Sequence, residues 1–506
     1  MNSVFCLSWV RRQAAKETPD RLKLNPDELQ QLLQQTKTGA ASAEGDDQEN
    51  NDDLPSDSVY NKPGTSGTSS VPQEEDKMDI EDDEDVAESD EGEEQGRLSL
   101  GNVAYYSSID DDPYIQEKDK LDSDEEADLK IKPSDSLIVI GRVKKDYYNL
   151  EVYVYEEDEN NLYCHHDIML PSFPLAVEWM DFDPGEPKPG NMAAVSTMEP
   201  YIELWDLDVI DTLEPAFVLG SSQSKKKKKK NTANSHSDAV LDLSWNRNQR
   251  NALASASADF TIGLWDMNEG KMVVSLRDHS EKVQAVHWHP VEAQTLLSGS
   301  FDHTVKVYDC RSPADGSKSW NLAGEVESVL WNHHDPFCFL ASTDKGDLYN
   351  FDVRGAVPLF TLKAHSDAVP CLSLSSSIPG CLFTASGDKT TKIWDIRNNQ
   401  PELVWEHTPK IGQVHCGAFC PDSSLLIAAG GEGEVKVMNL MKQGKVRAHF
   451  GIAGEGGDAD EMLAVASSGN TADADTDEEV DMAVSQAAAV PKKSKKKKKK
   501  KKPHAK

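Results

Sequence analysis

The chain has 506 residues, of which 38% are apolar, with 88 Asp and Glu against 53 Lys and Arg and a formal charge of −35. No apolar run approaches the ~20 residues of a membrane span, and no signal peptide or Asn-x-Ser/Thr sequon is present, so a membrane-spanning or glycosylated secreted chain is excluded. Eight cysteines without framework spacing read as reduced and intracellular.

Residues 1–10 read as a strand: in SVFCLSWV (3–10), Val4, Leu7 and Trp9 occupy the slots of Val240, Leu243 and Trp245 in AVLDLSWN (239–246). This makes them the innermost strand of a first structural unit, the alternative being a short disordered or helical end. Residues 11–130 then form an insertion. Asn25-Pro26-Asp27-Glu28 is a helix start with a capping Asn, Pro at the first position and acids on the dipole, which predicts a short helix over 26–37, docked on the fold or free for a partner. Residues 44–94 carry 21 acidic side chains against Lys62 and Lys77, too self-repelling to collapse. A stretch with Tyr105, Tyr106 and Tyr114 follows and is expected to lie along the folded surface.

From residue 131 to 451 the chain reads as strands. LASASADFTIGLWD (253–266) returns as LLSGSFDHTVKVYD, LASTDKGDLYNFD and LFTASGDKTTKIWD, closing at Trp265, Tyr308, Phe351 and Trp394, each 43 residues after the last. Trp245, Trp288 and Trp331 each precede the closing aromatic by 20 positions. A period in the low forties with closing Trp-Asp is the mark of four-stranded propeller blades, which bury their faces by stacking in a ring. Blades one and two precede this series, blade one completed by LIVIGRV, NLEVYVYE and NLYCHHDIM and blade two built around Trp179 and Trp205, and a seventh closes at Met438 with Phe419 in the inner slot. The fold class is therefore all-β, a seven-bladed WD-repeat β-propeller of about 300 residues. The series is interrupted by a Lys-rich loop at 220–235 and followed by an acidic, poly-Lys tail at 452–506 that is unlike a packed segment.

The blades share a polar set: His236, His279 and His365 before inner strands, Asp259, Asp302, Asp344 and Asp388 in the turn after second strands, a Ser or Thr between them, and the closing Trp205, Trp265 or Trp394. This resembles the structural hydrogen-bond network of WD-repeat proteins; Tyr308, Phe351 and Met438 lack the indole donor. A Ser–His–Asp catalytic reading would need one set unlike the others. Cys164-His165-His166, His333-His334 with Cys338, and His415-Cys416 with Cys420 lack the paired spacing of a zinc site, and 185–190 lacks the lysine of a phosphate loop, so neither metal nor cofactor is expected. Lys225, Lys226, Lys227, Lys228, Lys229 and Lys230, and the terminal run through Lys495, Lys496 and Lys497, have nuclear-targeting composition or can contact phosphates as point charges, without aromatics for base reading. The acidic segment serves basic partners or is a solvated spacer. Ser123 and Thr476, each followed by acids, are candidate phosphosites. Asp309-Cys310-Arg311, Asp352-Val353-Arg354 and Asp395-Ile396-Arg397 repeat a figure similar to that of cullin-ligase substrate receptors.

The inner tryptophans, together with WVRRQAAKETPD (9–20), IKPSDSLIVIGR (131–142) and HSDAVLDLSWNRNQRNALASASAD (236–259), resemble the periodic tryptophan protein 1 family over the N-terminus and residues 131–440. The resemblance implies a non-enzymatic scaffold of the nucleus and nucleolus in ribosome biogenesis and rRNA processing, a monomer within larger complexes. Its implied partners are pre-ribosomal assembly factors and histone H4 tails, with nucleic acid reached indirectly or through the lysine runs. A chromatin-bound regulator of rRNA gene transcription and a cullin substrate receptor are the alternatives.

Overall fold

The computed structural model describes residues 2–21, 97–100, 103–106, 129–145, 147–185, 188–220, 235–313, 316–452 and 464–465. The predicted helix over 26–37, both lysine runs, Ser123 and Thr476 lie outside the described residues. Seven antiparallel four-stranded sheets form the seven blades of a propeller. Their inner strands adjoin in turn, with Asn2–Val10 of blade one touching both Pro174–Phe182 of blade two and Val414–Phe419 of blade seven, so the ring closes. Second strands such as Cys338–Thr343 are buried at every position because adjoining blades cover both their faces, whereas the outer Lys271–Leu276 has exposed positions. In blades three to six the turn after the second strand holds a left-handed residue, which is Phe260, His303 and Lys389 in blades three, four and six and Gly346 in blade five. A Cβ at Gly346 would sit 2.3 Å from the His365 carbonyl oxygen, so only glycine serves there.

Blade one is assembled from distant pieces of chain. The strand Asn2–Val10 pairs antiparallel with Ser136–Lys144, Trp9 opposite Ile138, while Tyr147–Glu156 and Asn161–Leu170 complete the sheet. Trp9 and Val4 pack with Ile138, Tyr155, Leu426 and Val435 in a core shared by blades one and seven, and Trp9 Nε1 donates to Ala418 O at 3.0 Å. Residues 11–21 stay on the propeller as a strap. Arg12 reaches Asp422 of blade seven through its backbone and Ser136 and Glu157 of blade one through its side chain. Asp20–Arg21 then pairs in parallel with Val209–Ile210, between the third and fourth strands of blade two. A two-stranded hairpin, Arg97–Leu100 with Val103–Tyr106, lies within the 11–130 segment.

The last blade also reaches beyond the boundary drawn at 451. Its inner three strands end at Asn439, the chain forms the helix Gly444–Phe450, and the fourth strand is the two-residue Ala464–Val465 against Val437 and Lys436. The helix is fixed to blade six by His449 Nε2 on Asp395 Oδ2 at 2.8 Å and by Arg397 over the Phe450 ring.

An inner strand has no sheet partner on its axial side, and side chains of the preceding blade accept its N–H groups. The residue before each inner aromatic slot performs this: Ser8 Oγ accepts from Trp179 N at 3.1 Å, Glu178 Oε1 from Trp245 N at 3.4 Å, Ser244 Oγ from Trp288 N at 3.1 Å, His287 Nδ1 from Trp331 N at 3.3 Å and Ser373 Oγ from Phe419 N at 3.0 Å. The equivalent Leu330 and Ala418 carry no acceptor. At the latter seam Trp9 Nε1 on Ala418 O crosses the ring together with Arg142 on Gly433 O and Arg12 N on Asp422, so Trp9→Ala should cost about 3–5 kcal/mol, a buried aromatic deletion, and deletion of residues 1–10 should lower the melting temperature further. An unchanged thermal melt for either would contradict ring closure by this strand.

Candidate protein-interaction site

In blade three the polar set forms a continuous chain of bonds. His236 Nδ1 lies 3.1 Å from Asp259 Oδ2 and Nε2 lies 2.7 Å from Ser255 Oγ, which accepts from Trp265 Nε1 at 2.8 Å. Blade six repeats it with His365, Asp388, Thr384 and Trp394 at 3.1, 2.8 and 3.0 Å. Blade four has His279, Asp302 and Ser298 at 2.8 and 2.7 Å, with Tyr308 where the indole stands. Burial pushes the carboxyls up, but the imidazole and hydroxyl bonds outweigh it and hold Asp259 and Asp302 well below the usual range and Asp388 at about 2. The hydroxyls of Ser255, Ser298 and Thr384 belong to fully buried residues, so these sets offer no reachable nucleophile.

Two residues expected in this network stand outside it. Asp344 has no imidazole, because Leu322 occupies the histidine position of blade five, and its buried Oδ1 has no hydrogen-bond partner. Trp205 donates to Glu203 Oε2 at 3.2 Å instead of a strand hydroxyl. The three Asp-x-Arg figures are closed forks, Arg311 on Asp309, Arg354 on Asp352 and Arg397 on Asp395, each with an N–O contact of 2.6 Å. Among the described residues no three His, Cys, Asp or Glu side chains converge as metal ligands, all eight cysteines are free, and no helix is long and apolar enough to cross a membrane.

A site that the sequence reading did not single out lies where the inner strands begin. The register between inner and second strand slips after Pro174, Val240, Val283, Val326, Val414 and Val4, so one residue per blade is extruded from the ladder. These residues are Phe5, Leu175, Leu241, Gln284, Glu327 and His415, and with Pro370 of blade six they line one cavity of about 240 Å³ on the propeller axis. All seven are half-buried. The signal was present in the sequence as the position after the strand-opening valine, but it carries meaning only once the bulge turns those side chains toward the axis.

The ring is chemically lopsided. Phe5 stacks on His415 with centroids 4.8 Å apart and tilts against Phe173 at 4.6 Å, which in turn meets Tyr148 at 6.0 Å. Met198, whose N–H donates to Phe173 O, continues this apolar strip and is 57% exposed. Across the axis Glu327 is the single charged member of the ring, and no Lys or Arg is among the described residues that line the cavity. Burial, then Asp344 and Glu325, push the Glu327 carboxyl up to about 7. One register deeper, burial also raises Asp242 to about 7, against the pull of N–H bonds from Val286 and Leu243.

Between pH 4.5 and 7 the native protein retains a proton on Glu327 that the unfolded chain has released, so this group lowers stability as pH rises through that window. Glu327→Gln should therefore stabilise the protein by about 1–2 kcal/mol at pH 8 and by almost nothing at pH 5. Chemical denaturation at the two pH values checks it; a destabilised variant at pH 8 would mean that the carboxylate is satisfied within the chain.

The WD40 family model (WD domain, G-beta repeat) matches residues 227–266, 270–309 and 356–395. These are blades three, four and six, the ones that carry the His–Asp sets. The periodic tryptophan protein 1 homolog of Drosophila melanogaster is 36% identical over 89% of this chain and 96% of its own length. An uncharacterized WD repeat-containing protein of Schizosaccharomyces pombe is 39% identical over 89% and 91%. Periodic tryptophan protein 1 of Saccharomyces cerevisiae is 32% identical over 88% and 89%. With identity sustained across blades that lack the WD40 pattern as well as those that keep it, the chain belongs to the periodic tryptophan protein 1 family of WD-repeat proteins.

Proposed function

We propose that the protein is a non-enzymatic scaffold of the nucleus and nucleolus that holds together factors assembling the large ribosomal subunit and processing its RNA. The observation that carries the reading is the union of family membership with an open propeller face whose buried polar sets serve the fold. A propeller exposes several independent loop rims on a rigid ring, which suits simultaneous binding of several proteins. The run of 21 acids in residues 44–94 favours basic partners, as ribosomal proteins and histone tails are. The lysine runs supply nuclear targeting.

A second reading, a chromatin factor acting at rRNA genes, draws on the acidic and aromatic halves of the axial ring, which suit a basic tail. Affinity purification of the intact protein from nucleoli at raised salt, with and without DNase, distinguishes the two. Large-subunit assembly factors that persist after DNase support the scaffold. Recovery of nucleosomes alone, lost with DNase, would replace it with the chromatin reading, and recovery of a cullin adaptor or of none of these would overturn both.

A further inference from the structure

We propose that the seven-residue ring at the mouth of the axial channel binds one lysine or arginine side chain presented by a basic segment of a partner protein. This deepens the scaffold reading and rests on it. Three features of the ring converge on such a guest.

The first is charge. Among the described residues Glu327 has no hydrogen-bond or ion-pair partner and Asp344 Oδ1 is buried without one, and Asp344 and Glu325 both lie close enough to raise the Glu327 carboxyl. Among the described residues that line the cavity with Glu327 there is no Lys or Arg. A folded chain seldom gathers carboxylates in a half-buried space and leaves them without a cation unless the cation comes from elsewhere. An anion has nothing to hold it there, and a divalent metal lacks a converging ligand set among the described residues.

The second is shape. About 240 Å³ accommodates one long side chain but no folded element, and the wall facing Glu327 is hydrocarbon and aromatic: Phe5, Leu175 and Leu241. A lysine or arginine has this same division, an aliphatic stem and a cationic tip, so the stem lies along the apolar wall while the tip meets Glu327 and the neighbouring Gln284.

The third is the approach. The strip of Phe173, Tyr148 and exposed Met198 leads outward from Phe5 across the seam of blades one and two. It gives the residues flanking the inserted side chain an apolar surface beside the charged hole, the arrangement in which a buried anchor is ringed by contacts that exclude water.

The test uses the full-length protein and three otherwise identical capped hexapeptides, Ala-Gly-Leu-X-Gly-Ala, in which X is lysine, arginine or norleucine. Saturation-transfer NMR reads the side-chain methylene protons of X, a method suited to millimolar affinity. Saturation of the lysine or arginine peptide, at least fivefold above norleucine, is expected, and the stronger of the two identifies the preferred cation. Glu327→Gln should reduce that signal at least fivefold, while Asp309→Asn, at the end of the third strand of blade four on the opposite rim, should leave it unchanged. Because Glu327→Gln is expected to stabilise the fold, loss of signal cannot be attributed to unfolding. Equal saturation of the norleucine peptide, retention of signal in Glu327→Gln, or no saturation of any peptide would overturn the proposal. If nucleolar assembly factors are still recovered when the peptide arm fails, the scaffold reading stands and the ring is not its docking point.

Discussion

Seven sheets arranged about an axis leave seven strand edges facing inward, and the rest of this structure depends on how those edges are satisfied. An open edge is a row of unpaired amides that costs stability and invites foreign strands. Here five of the seven blades lend the next blade an acceptor from the residue before the inner aromatic: Ser8, Glu178, Ser244, His287 and Ser373. The chemistry at this position varies between hydroxyl, carboxylate and imidazole, while the geometry repeats. The bond needs an acceptor at a fixed distance, so composition is free to drift and register is not. The same register produces the bulges that turn one residue per blade into the channel, so the interaction that closes the ring also builds its mouth.

The outer side of the blades is held by a second device with more latitude. In blades three and six an imidazole links a turn aspartate to a strand hydroxyl and a tryptophan, satisfying four polar groups in a dry interior. Blade two reaches a comparable end with Glu203 under Trp205 and with Asn191, which accepts from Trp179 and donates to Asp208. Blade five gives up the histidine and keeps the aspartate, which leaves Asp344 unsatisfied beside Glu327. Two acids without a hydrogen-bond partner among the described residues, Glu327 in the ring and Asp344 in the turn after the second strand, mark a place where stability has been given up for another purpose.

The spacing of closing aromatics and inner tryptophans made the blade count legible, and the match of Val4, Leu7 and Trp9 to Val240, Leu243 and Trp245 pointed to the first strand before any coordinates. Both signals are periodic and come from buried positions, where packing tolerates few residue types. The strap over residues 11–21 had no such signal, because it is held by Arg12 and by backbone bonds to Asp208, which no pattern records. Ala464–Val465 was equally hidden: two residues of strand in a Gly, Ala and Asp-rich stretch resemble a tail until Lys436 and Val437 pair with them. The loss of the histidine opposite Asp344 was readable, since Leu322 stands 43 residues before His365. The channel ring was not, because its members share only a position, with side chains that run from Leu175 and Leu241 to Gln284, Glu327 and His415.

The inner-edge account has a direct test in amide hydrogen exchange of the full-length protein, resolved to single residues by fragmentation. It predicts that the amides of Trp179, Trp245, Trp288, Trp331 and Phe419 exchange slowly and together, while Leu374 and Trp9, which follow Leu330 and Ala418 around the ring, exchange measurably faster. Equal protection at all seven positions would contradict the claim that neighbouring side chains, and not the ring as a whole, satisfy these edges.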